Sequence, residues 1–301
     1  MALSKPTSEV FLYTIYFDGE KVPIKAFANN CNIDCVKFGP NVKEIGDEAF
    51  SGCSNLRIVE FDNIESIGKN AFNSCNTLQL FWGNKVRHID NSAFEGCSSL
   101  RYNSSFNYVE SIGNRTFCGC TALINMTMSK VKTIGFHAFD GCTSLEDVQF
   151  ENVELIGDGA FFGCEKLKFG VKTPKLTQVG CDVFAYCTSI KDVEFENVES
   201  IGIFAFRRCT ALKKVSMPKV KTIGLHAFDG CTSLEDVEFK NVESIDYYTF
   251  YGCENLIMVS MPKVKTIGFN AFDGCTCLED ALKALKVIRE TQKGIHTQSR
   301  N

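Results

Sequence analysis

Cysteine is the residue whose number and spacing in this 301-residue chain could do chemistry. Sixteen cysteines are present, and eleven of them recur every 22 or 23 residues. Thiols in this arrangement could form disulfides or bind a metal, because neighbouring strands lie about 4.8 Å apart and would bring them near bridging distance. An odd number with one thiol per repeat is better explained by buried free thiols, each a small apolar side chain and a weak S–H donor. This cysteine ladder comprises Cys53, Cys75, Cys97, Cys120, Cys142, Cys164, Cys187, Cys209, Cys231, Cys253 and Cys275.

The other candidates for chemistry form no recognisable site. Of the four histidines, His137 and His226 share one position of the repeat, but neighbouring repeats vary at that position. No grouping of nucleophile, base and orienting residue is indicated. We therefore predict that the chain is not an enzyme and has no metal site, disulfide or cofactor. The five further cysteines make no CxxC pair and no zinc spacing with histidine; they are Cys31, Cys35, Cys118, Cys181 and Cys277.

The elements that position these residues belong to an internal repeat. Self-similarity at a period of about 20 to 50 residues is typical of stacked-repeat proteins, in which each unit contacts only its neighbours. Apolar and polar residues alternate across Val237, Glu238 and Phe239, which indicates a short strand with one buried face. Stacking places equivalent residues in columns, and two apolar columns form the predicted core. They are Leu56, Leu78, Leu100, Leu123, Leu145, Leu167, Ile190, Leu212, Leu234, Leu256 and Leu278, and Phe50, Phe72, Phe94, Phe117, Phe139, Phe161, Phe184, Phe206, Phe228, Phe250 and Phe272.

Two glycine positions recur in the repeat. One follows the isoleucine, as at Gly46 and Gly268, and is replaced by Asp90 and Asp246. Because Gly enters the left-handed region freely and Asp tolerates it, we predict a left-handed residue and a corner of the chain there. The glycine before each ladder cysteine is less strictly kept, so we expect ordinary backbone angles at that position.

The repeated string resembles a known class of repeat. From Ile223 to Leu234 it reads I-G-L-H-A-F-D-G-C-T-S-L, and related strings occur eleven times over about four-fifths of the chain. The string is similar to the BspA-like, or treponemal, subclass of leucine-rich repeats. Members of that family are often surface or secreted adhesins of bacteria and protozoan parasites that bind host matrix proteins and cells. The resemblance implies a binding scaffold with parallel strands on its concave side, and it implies no catalytic residues.

The expected fold is an α/β-type solenoid, a right-handed leucine-rich-repeat coil of about eleven turns with a parallel concave β-sheet and a cap at each end. Residues 1–44 should form an N-terminal cap, with a hairpin around Asp18-Gly19 followed by a degenerate repeat. Residues 45–278 should form the solenoid. Residues 279–301 should form a C-terminal capping helix and a polar tail, because Thr276 and Glu279 make a capping box before an amphipathic pattern.

Composition excludes several classes of partner. The formal net charge of −4 gives no electrostatic reason to expect nucleic acid or an anionic membrane surface. No apolar run approaches the roughly 20 residues of a membrane span, and the N-terminus lacks the pattern of a signal peptide. We predict a cytoplasmic location, with export to the cell surface or medium by an unconventional route as the alternative.

Charged residues alternate in sign two residues before the isoleucine column. Adjacent turns should place opposite charges side by side, each exposed pair contributing only about 0.2–1 kcal/mol. A slip by one repeat would bring like charges together, so we interpret this charge ladder as a structural device that fixes register. It comprises Lys43, Glu65, Arg87, Glu110, Lys132, Glu154, Glu199, Lys221, Glu243 and Lys265, and the uncharged Thr177 breaks it once.

Two surfaces are candidates for binding a partner. The first, the Trp82 patch, lies on the predicted concave strands, where the third and fifth strand residues point outward, and holds the only tryptophan of the chain. Trp and Tyr are frequent binding hot spots, although Trp82 could instead fold inward above Gly83. The second, the apolar stripe, follows the corner glycine in late repeats and would serve either self-association or loop packing. The Trp82 patch is Ile58, Glu60, Leu80, Trp82 and Tyr102, and the apolar stripe is Ile203, Leu225, Tyr247 and Phe269.

These observations predict a non-enzymatic scaffold that binds a protein partner on its concave face. A surface or secreted adhesin that binds host matrix proteins or cells is one alternative. A cytosolic regulatory scaffold for an enzyme such as a phosphatase is another. We expect a protein partner, no nucleic acid, no membrane insertion, and a monomer or weak homodimer.

Overall fold

The computed structural model describes residues 13–60, 62–82, 85–101, 106–127, 129–149, 152–168 and 174–278. These residues form a parallel β-solenoid of about eleven turns. We number the coils 1 to 11 after their core phenylalanine, from Phe50 in coil 1 to Phe272 in coil 11. Strands alternate with turns throughout this part of the chain, which contains no α-helix. The helical component of the expected α/β solenoid is therefore not found there, and none of these residues belong to a helix that could cross a membrane.

The first sheet contains the strands that the sequence predicts. Side chains alternate along it: Val215 and Val237, at the centres of two strands, are buried, and the residues on either side of each are exposed. Neighbouring strands pair in parallel, with register such as Lys214↔Asp236 and Val215↔Val237. Its strands are hydrogen-bonded in three groups, the first four, the next two and the last four of this list: β1 (Tyr13–Phe17), β3 (Ile33–Phe38), β5 (Ile58–Glu60), β7 (Leu80–Trp82), β10 (Asn125–Thr127), β12 (Asp147–Gln149), β15 (Asp192–Glu194), β17 (Lys214–Ser216), β19 (Asp236–Glu238) and β21 (Met258–Ser260).

A second sheet runs along the isoleucine column. Each strand has two residues, too few to produce a periodic signal, so the sequence did not indicate it. The second residue of each strand is the column isoleucine or valine, which points into the core. These strands are hydrogen-bonded in three groups, the first seven, the next three and the last two of this list: β2 (Lys21–Val22), β4 (Glu44–Ile45), β6 (Ser66–Ile67), β8 (His88–Ile89), β9 (Ser111–Ile112), β11 (Thr133–Ile134), β13 (Leu155–Ile156), β14 (Gln178–Val179), β16 (Ser200–Ile201), β18 (Thr222–Ile223), β20 (Ser244–Ile245) and β22 (Thr266–Ile267).

The core follows the predicted columns. Leu234 and Phe228 are fully buried, as are their equivalents in the interior coils. The phenylalanine rings stack face to face from coil to coil, with 5.3 Å between the centroids of Phe50 and Phe72 and 5.2 Å between those of Phe250 and Phe272. Phe272, in the last coil, is only partly buried.

The predicted N-terminal hairpin is wrong. Strand β1 pairs in parallel with β3, and β2 pairs in parallel with β4, so the two segments on either side of Asp18-Gly19 join different sheets. The ring of Phe27 stacks on that of Phe50 at 5.0 Å and extends the phenylalanine column by one coil. Residues 13–44 therefore continue the stack. A turn sequence favours a hairpin locally, but the apolar columns align this segment with the next coil.

The predicted C-terminal helix, residues 279–301, lies outside the described residues. Its proposed N-cap, Thr276, donates its hydroxyl to the backbone oxygen of Glu254 at 3.0 Å. Thr188 makes the equivalent bond to Glu165 at 3.2 Å in an interior coil. Thr276 therefore behaves as one more member of a column that ties each coil to the preceding one.

The roles of the two glycine columns are the reverse of those predicted. The glycine after the isoleucine does not adopt a positive φ; a Cβ on Gly135 would lie 2.6 Å from the backbone nitrogen of Asn114 in the preceding coil. Close approach of two backbones therefore favours glycine there. The residue before the ladder cysteine does have positive φ, +70° at Gly141 and 62° even at Tyr186. Because the residue type varies in this column, the sequence does not indicate its left-handed backbone.

Candidate functional site

The Trp82 patch is centred on strand β5. Ile58 and Glu60 are partly exposed, and in the backbone register they pair with Leu80 and Trp82 of β7. Lys37 of β3 forms an ion pair with Glu60 at 3.1 Å, and its hydrogen bond to that carboxylate raises the Lys37 pKa. Tyr102 lies outside the described residues. The structure therefore brings four of the five patch residues onto adjacent strands, and the exposure of the Trp82 ring stays a prediction.

The outward row of the first sheet changes character towards the C-terminus. Asp192, Lys214 and Asp236, each the first residue of its strand, are exposed. Met258, the equivalent residue of the last strand, is 58% exposed. Beneath them the core column is valine in each strand. The sheet thus presents side chains that differ from coil to coil on a nearly constant support.

All four residues of the apolar stripe reach the surface. Ile203 is 41% exposed, Tyr247 is 53% exposed and Phe269 is 55% exposed, and Leu225 is partly exposed. They occupy one column in coils 8 to 11. Phe136 occupies the same column in coil 5, outside the stripe, and is 53% exposed. It was not identified from the sequence. The stripe is therefore a continuous exposed apolar row over four coils.

In four of the earlier coils a polar residue of the same column ties adjacent coils together. The Asn91 Oδ1 accepts the backbone N–H of Asn114 at 2.7 Å, and the Asn114 Oδ1 accepts that of Phe136 at 2.9 Å. Asp47 and Asp158 accept equivalent bonds from the next coil at 2.9 and 2.8 Å. We call Asp47, Asn91, Asn114 and Asp158 the polar ladder. Ile203 and Leu225 have no side-chain oxygen to accept this bond from the next coil. In their coils the column therefore presents apolar side chains and does not tie the coils together.

An aromatic column backs the stripe. The rings of Phe204, His226 and Tyr248 stack with centroid distances of 5.0 and 4.7 Å, although each residue has φ between 54° and 57°. His226 Nδ1 lies 3.1 Å from the Asp229 Oδ2, and the Arg207 guanidinium lies 5.0 Å from the Phe204 ring centroid. Variation at this position hid the column from sequence reasoning. Its contacts hold the surface beside the stripe in one arrangement.

The charge ladder forms ion pairs between adjacent coils. Within the described ranges they join Lys43 to Glu65 at 3.5 Å, Glu110 to Lys132 at 2.8 Å, Glu199 to Lys221 at 2.7 Å and Glu243 to Lys265 at 2.8 Å. Hydrogen bonds from the lysines lower the pKa values of Glu110, Glu199 and Glu243. The predicted juxtaposition of opposite charges is confirmed at these four junctions.

The cysteine ladder is a hydrogen-bonding column. Each ladder thiol donates to the backbone oxygen of a core phenylalanine in the preceding coil, as from Cys142 Sγ to Phe117 O at 3.1 Å. The predicted S–H donor role is thereby confirmed. Burial raises the pKa of the Cys53 thiol to about 11 and that of Cys75 well above its usual value, so these thiols are poor nucleophiles and poor metal ligands. Across the described residues, no cluster of His, Cys, Asp and Glu could hold a metal ion.

Comparison with known proteins identifies the repeat. A family described as BspA type leucine rich repeat region matches in six copies, over residues 20–146, 102–198 and 177–290. The chain belongs to this BspA-type leucine-rich repeat family. Leucine-rich repeats of this kind are generally non-enzymatic. The comparison with curated protein sequences gave no match.

Solved structures share the leucine-rich repeat fold. The chain is similar to a leucine-rich repeat protein from Bacteroides ovatus, with 26% identity and a TM-score of 0.60, covering 88% of this chain and 85% of that one. It is also similar to a leucine rich cell surface protein from Faecalibacterium prausnitzii, with 24% identity and a TM-score of 0.55, covering 93% of both chains.

Proposed function

We propose that this chain is a non-enzymatic binding module that recognises a protein partner on the outward face of its first sheet, at the Trp82 patch. The observation that carries the proposal is the outward row of that sheet. Its side chains vary between coils from charged to apolar, whereas the central residue of each strand is apolar and in most coils valine, so the fold does not dictate the outward residues. Residues free of structural demands are available for recognition, and a patch containing Trp, Tyr and Leu has the composition of a binding hot spot.

Affinity capture tests this proposal. The full chain is immobilised, and proteins retained from host matrix preparations and from cytosolic extract are identified. Retention of matrix proteins would support an adhesin, and retention of an enzyme such as a phosphatase would support a cytosolic scaffold. Either partner is then titrated against variants of the patch.

Trp82→Ala should weaken binding of the captured partner by about tenfold or more, because central aromatic residues dominate interface energies. The thermal unfolding midpoint should change little. Met258→Ala, in the neighbouring outward row at the far end of the first sheet, is the matched control and should bind as the wild type does. Unchanged binding by the Trp82 variant would refute the assignment, and a midpoint lowered by several degrees would place the ring in the core.

A further inference from the structure

The apolar stripe is not required by the fold. Polar ladder residues occupy the same column of the same coil geometry and add a hydrogen bond between coils, as from Asn114 N–H to the Asn91 Oδ1 at 2.7 Å. Ile203 and Leu225 give up that bond and expose apolar surface instead. An exposed apolar row on four consecutive coils, without a structural reason, indicates an interface.

We propose that the apolar stripe is a self-association surface on which two copies of this chain pack antiparallel about a twofold axis. The axis lies in the interface, perpendicular to the stripe, between coils 9 and 10. Coil 8 of one copy then faces coil 11 of the other, and coil 9 faces coil 10. Such an isologous contact closes after two copies and leaves the Trp82 patch, on the other sheet, for a different partner.

The order of side chains along the stripe suits this arrangement. The two aliphatic residues occupy coils 8 and 9, and the two aromatic residues occupy coils 10 and 11. Antiparallel packing places Ile203 against Phe269 of the second copy and Leu225 against Tyr247 of the second copy. Each rung therefore joins one aliphatic and one aromatic side chain, and the interface has nearly constant thickness.

The charges beside the stripe are complementary in the same arrangement. The charge ladder stands four residues before the stripe in each coil, and the rotation turns this column onto itself in reverse order. Glu199 then faces Lys265 of the second copy, and Lys221 faces Glu243 of the second copy. A twofold axis along the stripe would instead place the two charge ladders on opposite sides of the interface, so these pairs could not form. Alternating signs over an even number of coils thus select the antiparallel orientation.

Charges on the side of the stripe away from the charge ladder are also complementary in this arrangement. Asp273 of the second copy arrives at the coil 8 end of the stripe, where Arg208, one position beyond the column of Asp273, is exposed and positively charged. Asp273 is also exposed. Since four side chains per copy bury less than a standard interface, we expect a weak, concentration-dependent dimer.

Sedimentation equilibrium of the full chain from micromolar to sub-millimolar concentration tests the proposal. The wild type should show a monomer–dimer equilibrium. Leu225→Asn with Tyr247→Asn should abolish it without lowering the thermal midpoint, because asparagine already occupies this column at Asn91 and Asn114. Phe269→Asn, in the last coil, is a second variant should the double variant fold poorly. A wild type that stays monomeric at every concentration overturns the proposal, as does a folded variant that dimerises normally.

Charge reversal tests the orientation. Lys265→Glu should raise the dimer dissociation constant about tenfold, because two symmetric contacts change from opposite to like charge. Adding Glu199→Lys should restore association. Lys132→Glu is the matched control: it loses an intrachain pair with Glu110 of the same 2.8 Å length, outside the stripe, and should not alter the constant. Equal dissociation constants for Lys265→Glu and the wild type would refute the antiparallel arrangement.

Discussion

Buried thiols in this protein act as hydrogen-bond donors. The Cys142 thiol is fully buried and donates to Phe117 O at 3.1 Å, and the same contact recurs in each coil. A buried backbone oxygen without a donor would cost about 1–3 kcal/mol, so the thiol contributes both volume and a hydrogen bond. The same burial raises the pKa of these thiols and removes the thiolate that oxidants and alkylating reagents attack.

Alkylation of the native chain should therefore be selective. Cys31 and Cys277 are exposed and should react quickly with N-ethylmaleimide, whereas the ten buried ladder thiols should react only after unfolding. Mass spectrometry of peptides from a time course, with a sample in denaturant as control, measures this. Modification of any buried ladder thiol at the rate of Cys277 would contradict the assigned burial.

At the scale of the coil, the glycine after the isoleucine sets how closely adjacent backbones approach. A Cβ on Gly135 would meet three atoms of the preceding coil at 2.6 Å, two of them backbone atoms that cannot rotate away. A Cβ on Gly141 would lie 4.0 Å from its nearest neighbours, an ordinary contact distance. Only the φ of +70° therefore favours glycine at this position. Two glycines of one repeat thus meet different physical demands.

Substitutions should separate these demands. Gly135→Ala should destabilise the protein by about 1–3 kcal/mol, because the added methyl group forces two coils apart. Gly141→Asn should cost less than about 1 kcal/mol, because asparagine tolerates left-handed angles and Asn29 already adopts φ of 59° in the same column. Urea unfolding of both variants gives the comparison, and the opposite order of stability would contradict it.

The apolar columns could be predicted because each residue is constrained by the equivalent residue in the coils above and below. The left-handed positions could not, because the stack holds even Tyr186 and Phe204 at positive φ and so hides the usual glycine signal. The hairpin around Asp18-Gly19 was predicted from a local turn, whereas the pairing of β1 with β3 depends on contacts some 20 residues away.

For the candidate sites, the sequence identified the residues of the apolar stripe, and the structure shows that they are exposed. The polar ladder in the same column forms hydrogen bonds between coils, which no local sequence pattern indicates.

At the scale of the whole molecule, alternating charges give the stack a register. Each Glu–Lys pair of the charge ladder joins two adjacent coils and is exposed to solvent, so its contribution is modest and sensitive to salt. Its effect on specificity is larger, since a slip by one coil would turn every attractive contact into a repulsive one. The four observed pairs thus favour the native register at their junctions.

Acid should abolish this coupling. The hydrogen bond from Lys221 lowers the pKa of Glu199 below its ordinary 4.5. A lowered folded-state pKa contributes stability that is present above the unfolded value and lost as pH falls through the folded value. A double-mutant cycle of Glu199→Gln and Lys221→Met should therefore show coupling at pH near 7 that disappears at low pH. Coupling that persists after protonation of the carboxylate would show that the contact is not electrostatic.

The contacts of each coil reach about one repeat back along the chain. A ladder thiol finds its acceptor 25 or 26 residues earlier, and strands pair across 22 or 23 residues. During synthesis, a newly emerged coil therefore already has the template on which it docks, because the preceding coil has left the ribosome. Domains that pair their two ends must wait for the C-terminus, with apolar surface exposed meanwhile. This solenoid can instead fold in the order in which it is translated, with one growing edge exposed at a time.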